Sequence, residues 1–131
     1  MIPKSDLRFL ANARKQDAEC LFTGSRYNGA VYLCGYALEL SLKARICETL
    51  NWSDYPETNA DFPGVSAFKV HNLDTLLRLT GREGAIKSTL LLQWSTCNSW
   101  NPEVRYKASF APTEADARDM LDAFVALMAA L

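Results

Sequence analysis

Few residues in this chain carry chemistry, and His71 and Arg105 lead them. His71 is the only histidine. Metal-independent cleavage of a phosphodiester needs a group that titrates near neutrality to take a hydroxyl proton. It also needs a fork of donors to hold the charge that develops on phosphorus. Histidine suits the first task and arginine the second. Arg105 is followed by Tyr106 and Lys107, and Lys69 stands two residues before His71. His71, Arg105, Lys107 and Lys69 are therefore candidates for an anion site assembled from separate segments, with Lys43 or Arg45 as possible additions. Trp100 and Tyr106, in the same irregular stretch as Arg105, are the aromatic rings best placed by sequence to stack on a base. His71 and Arg105 are the two catalytic candidates. The ligand-binding set is Arg105, Tyr106, Lys107, His71, Trp100 and Lys69. The plainer alternatives are that His71 caps a helix and that Arg105 pairs with a carboxylate such as Glu39 or Glu103.

Glu39 lies in the most apolar part of the chain, where an unpaired carboxylate is costly. It is expected to be structural, paired with Lys43 one helical turn along or with an arginine from elsewhere. No glycine loop has phosphate-binding spacing, and neither a metal-ligand cluster nor a Ser/His/Asp arrangement is visible. No metal and no cofactor is expected. The cysteines, Cys20, Cys34, Cys47 and Cys97, have no paired spacing. Three fall in helical stretches, where cysteine behaves as a small apolar residue.

The elements that position these residues read as helices. Ser5 is the expected N-cap of a first helix with an apolar stripe of Leu7, Leu10, Ala11, Ala18, Leu21 and Phe22, stopped by Gly24. A second helix, about Arg26 to Leu50, is apolar nearly all round between Ala30 and Leu42, which places it among other helices, with Tyr32 and Tyr36 inside. Gly29 and Gly35 permit a close neighbour. Beyond Ser41 the pattern turns amphipathic, with Ile46, Cys47 and Leu50 inward. Asn51 to Val70, with Pro56, Pro63 and Gly64, is a long loop and a candidate lid or contact surface. A third helix opens at His71 and closes at Gly81. A fourth runs from Glu83 to about Cys97 on Ile86, Leu90, Leu91 and Trp94. The last starts at Thr113, whose pairing with Asp116 has the form of a capping box, and carries a stripe that includes Phe124, Val125 and Leu127. No strand is expected. The result is an all-α, antiparallel up-and-down bundle of about five helices, as one domain over residues 1–131.

Composition narrows the function classes. With 49% hydrophobic and 22% charged residues the chain is ordinary for a globular protein and does not read as disordered. A net charge of −1 gives no overall attraction to nucleic acid or anionic lipid, so such a contact has to be local. The longest apolar run contains Glu39 and is shorter than the ~20 residues of a membrane span. Residues 1–6 lack the pattern of an export signal, and a cytoplasmic location is expected.

The stretch SRYNGAVYLCGYALELSLKA, from Ser25 to Ala44, resembles the central helix of HEPN domains. His71-Asn72-Leu73 opening a leucine-rich helix, and Trp100 followed by Arg105-Tyr106 before the last helix, agree with it in order along the chain. The resemblance implies a HEPN-like four-helix-bundle core that pairs as a homodimer. Family members act as metal-independent RNases in toxin–antitoxin and defence systems, partner a minimal nucleotidyltransferase, or bind nucleotides without cleaving. RNA-cleaving members carry an arginine with a histidine a few residues on. Here Arg105 is followed by Tyr106, Lys107, Ala108, Ser109, Phe110, Ala111 and Pro112, with no histidine. The resemblance thus implies a nucleotide- or RNA-associated binding module, working alone or beside a nucleotidyltransferase-like protein. The alternative is an RNase whose site is rearranged around Arg105 and His71.

Overall fold

A continuous run of Ala, Leu and Tyr with no proline favours a long helix, and the longest one here is built from it. The computed structural model describes residues 1–56 and 70–131, with Arg105 and Tyr106 described by their backbone alone. Helix α1 spans Lys4–Thr23 and α2 spans Tyr27–Thr49. They form an antiparallel hairpin: Leu21 lies against Gly29 at the turn, and Arg8 reaches Glu48 at the far end (2.9 Å). Helices α3 (Leu73–Leu79), α4 (Glu83–Thr89) and α5 (Leu91–Asn98) follow. A 3-10 turn over Pro102–Tyr106 leads to α6 (Glu114–Ala130). Helix α3 packs on α2, while α6 crosses α2, α5 and α1. The described helices share one core, with Leu38 and Leu42 of α2, Leu76 of α3, Trp94 of α5 and Phe124 of α6 at its centre.

The expected helical bundle is therefore present, with six α-helices among the described residues rather than five. The extra one comes from a break at Leu90, whose backbone leaves helical values (φ −131°, ψ 34°). The break shifts the helical period, so Trp94 and Cys97 turn inward while Leu91, expected inside, is exposed. Two residues on each side, β1 (Ile2–Pro3) and β2 (Asp54–Tyr55), pair antiparallel, where no strand was expected. That pairing brings Pro3 to the start of α1, which begins at Lys4; Ser5 makes no cap and instead bonds Asp6. Gly24 ends α1 as expected, but the left-handed residue of the turn is Ser25 (φ 60°). Gly81 (φ 72°) closes α3. The capping box at Thr113 and Asp116 is formed in both directions.

Three inward assignments change. Leu50 and Val125 are exposed, and α2 is not enclosed on every side. Tyr32, Leu33, Tyr36 and Leu40 are half-buried and line a shallow groove with Leu10 and Arg14. Helices α1, α3 and α6 cover the rest of α2. Of the long stretch Asn51 to Val70, residues 57–69 lie outside the described residues, and Lys69 with them. No helix among the described residues is long and apolar enough to cross a membrane.

Candidate functional site

Glu39 sits in the middle of α2 with only 2% of its surface exposed. A buried carboxylate persists only with compensating partners, and two are present. Lys43, one turn along, places Nζ 3.1 Å from Oε1, and His71 places Nδ1 2.5 Å from the same oxygen. The expected Lys43 pairing is formed; the second partner is the histidine. An ionised carboxylate only accepts, so the proton of this hydrogen bond sits on His71 Nδ1 and the remaining ring nitrogen, Nε2, is left for solvent or a ligand. Glu39 Oε2 has no hydrogen-bond partner among the described residues.

The His71 side chain is 60% exposed and opens onto a cleft of about 340 Å³. One wall is His71, Asn72 and Leu73, at the entry to α3. The other is Asn98 to Glu103, the turn between α5 and the 3-10 helix. Asn72, not His71, caps α3, its Oδ1 accepting from the Thr75 N–H at 2.9 Å. Asn101 plays the same part for the 3-10 turn, accepting from the Glu103 N–H at 2.8 Å.

Trp100 also belongs to this wall, but not as the open stacking surface expected of it. Only 6% of it is exposed. Its indole lies on the bare backbone of Gly35, and the Tyr36 ring meets it edge-on at 5.3 Å. Gly35 has the close neighbour that its type allowed. Trp100 and His71 are thus brought to one cleft, with the ring face of the former turned into the protein.

The remaining sequence candidates scatter. Lys43 reaches the cluster through Glu39, whereas Arg45 pairs with Glu48 (3.4 Å), away from it. Lys107 is exposed just past the 3-10 turn and does not line the cleft. Arg105 and Tyr106 end the 3-10 turn whose first residues, Pro102 and Glu103, form the cleft wall. Sequence reasoning missed Asn72, Asn98, Asn101 and Glu103, although asparagine recurring around two turns was a readable sign of capping. Larger and similar clefts exist, one of about 490 Å³ between Ser109–Pro112 and α6 and one of about 330 Å³ at Ser25–Gly29. The His71 cleft is singled out because a buried, ion-paired carboxylate fixes a titratable side chain at its edge. Among the described residues no three His, Cys, Asp or Glu converge to hold a metal.

Helix α3, which carries this wall, is tied to its neighbours by Asp74. Its carboxylate meets Lys87 Nζ of α4 (3.0 Å) and Trp94 Nε1 of α5 (3.3 Å). The Lys87 hydrogen bond above all, with smaller help from Trp94 and Arg78, holds the Asp74 carboxyl below the usual range, against the opposing effect of burial. A carboxyl lowered in the folded state contributes stability above its unfolded pKa and loses it as pH falls through the folded value. Asp74→Asn should therefore unfold with a shallower loss of stability below about pH 4 than the parent chain. Urea titrations at stepped pH measure this, and parallel acid limbs would refute it.

Compared with family models, with curated proteins and with solved structures, the chain finds no match.

Proposed function

We propose that this chain is a HEPN-like, nucleotide- or RNA-associated binding module of the cytoplasm. In this reading it works as a homodimer or beside a nucleotidyltransferase-like partner and lacks the family's usual RNase activity. The observation that carries the reading is the His71 cleft. A buried carboxylate on the central helix holds a histidine at the edge of a polar cavity, and the segment bearing Arg105 forms the opposite wall. The order of these parts along the chain matches the resemblance read from Ser25–Ala44, His71–Leu73 and Trp100–Tyr106.

A thermal-shift panel of nucleotides and short RNAs tests it. A ligand at 100 times its dissociation constant stabilises the folded state by about 2.7 kcal/mol. A selective ligand should raise the midpoint of the wild type and lose that effect in Arg105→Ala. A flat response to every nucleotide and RNA would overturn the reading and turn the search to a protein partner.

One observation favours a second reading, a metal-independent RNase of toxin–antitoxin or defence type. A carboxylate hydrogen-bonded to one imidazole nitrogen is the arrangement that orients the other nitrogen as a general base. This reading requires RNA cleavage that disappears in both His71→Gln and Arg105→Ala. Cleavage that survives either substitution would exclude it.

A further inference from the structure

The polar atoms lining the His71 cleft have unequal freedom, because several are already committed to the fold. Asn72 Oδ1 accepts the Thr75 N–H and Asn101 Oδ1 accepts the Glu103 N–H. Each asparagine has therefore tied its carbonyl to the backbone and keeps its amide NH₂, two donors, uncommitted among the described residues. Ser99 Oγ donates to the Thr96 carbonyl (2.9 Å) and retains only acceptor capacity. His71 has Nδ1 on Glu39 and keeps Nε2. The Glu103 carboxylate adds an acceptor with no partner among the described residues. No lysine or arginine is among the described residues lining the cleft.

These described groups by themselves are poorly matched to phosphate. A phosphate group is held best by guanidinium or ammonium groups, and a carboxylate on the wall repels it. The set suits a neutral, polar group that offers acceptors to two amide NH₂ groups and hydrogens to a carboxylate. A nucleobase edge has carbonyl oxygens and ring nitrogens for the first purpose. Its exocyclic amine or the ribose hydroxyls serve the second. A volume of about 340 Å³ falls in the ~300–1,000 Å³ span of small-molecule sites. We infer that the cleft takes the nucleoside part of the ligand, with Asn72 and Asn101 as donors to the base and Glu103 as acceptor, and that the phosphate lies outside it. This inference rests on the nucleotide-binding reading and names which end of the nucleotide is recognised here.

The two asparagines give a test, because aspartate keeps the oxygen that caps the backbone and exchanges the NH₂ donors for a charged acceptor. In ¹⁵N-labelled protein the side-chain NH₂ signals of Asn72 and Asn101 are followed during titration with the four ribonucleosides, their 5′-monophosphates and inorganic phosphate. One nucleoside should move both signals saturably, as should its monophosphate. Inorganic phosphate should move neither. Asn72→Asp and Asn101→Asp should each weaken that nucleoside about tenfold while the free protein keeps its thermal midpoint. Binding of a monophosphate without binding of its nucleoside would overturn the inference and leave the nucleotide-binding reading standing. Nucleoside binding that both aspartate variants leave intact would also overturn it. No binding of any probe would remove the inference and the reading together.

Discussion

Gly35→Ala should lose about 2 kcal/mol of stability and lower the thermal midpoint by roughly 5–10 °C, although alanine is the better helix former. In an exposed helix interior the change from glycine to alanine gains about 1 kcal/mol. At Gly35 a β-carbon would stand 2.2 Å from the Trp100 ring, well inside van der Waals contact. The indole cannot swing away freely, since it is buried and bracketed by Tyr36 at 5.3 Å and Tyr32 at 6.4 Å. Overpacking of this kind costs about 1–3 kcal/mol or more and outweighs the gain in propensity. Gly84→Ala is the matched control, because a β-carbon there meets nothing within 4 Å; it should be neutral or slightly stabilising. Thermal melts of the two variants side by side decide the matter. Equal midpoints would mean that Trp100 moves aside at no cost. The effect reaches the cleft, because Trp100 is flanked by Ser99 and Asn101 on its wall, so a displaced indole also shifts the Asn101 amide.

Lys43→Ala should be comparably damaging, at about 3 kcal/mol, through charge rather than volume. It leaves Glu39 buried with His71 as its single described partner. Removing one member of a buried pair strands the other, whereas replacing both with apolar groups is often nearly neutral. Lys43→Leu combined with Glu39→Leu is accordingly expected to recover most of the loss. Such recovery is a non-additivity that two independent substitutions would not show. Glu39→Leu alone should cost less than Lys43→Ala, because the lysine stem can carry its ammonium outward. Urea unfolding with an unchanged slope is the measurement. A loss below about 0.5 kcal/mol for Lys43→Ala would mark the pair as an ordinary surface bridge.

The Lys43–Glu39 contact, the capping box at Thr113 and the tight approach at Gly35 were all legible in the sequence. Each depends on residues close along one helix, or on a missing side chain. Glu39 needed a cation, and the helical period put one at Lys43. What was not legible depends on contacts far along the chain. His71 meets Glu39 across 32 residues, and no local pattern brings those two together. Trp100 read as a ligand surface because its neighbours are polar. It is interior because a glycine far upstream on α2 leaves room for its ring. The break at Leu90 carries neither proline nor glycine to announce it. Its local cost is offset by the burial of Trp94 and Cys97 that it permits. Ser5 looked like a cap on local grounds, yet the pairing of Ile2–Pro3 with Asp54–Tyr55 set the start of α1 two residues earlier, with Pro3 in the cap position. Lys69 lies outside the described residues, and Arg105 and Tyr106 are described by their backbone alone; of the residues nominated from the sequence, His71 and Trp100 share the cleft wall.

The distribution of the four thiols gives the molecule a built-in gauge of its own opening. Cys20 is exposed on α1, while Cys34, Cys47 and Cys97 are buried. Burial pushes the Cys34 thiol far up and that of Cys97 to about 12, with Cys47 also raised. A thiol reagent attacks the thiolate, so the intact fold offers it one fast site and three silent ones. The silent three span the middle of α2, its end, and the close of α5. Their order of labelling would therefore report which part of the bundle opens first. A dye on Cys20 would follow the folded chain with no substitution at all.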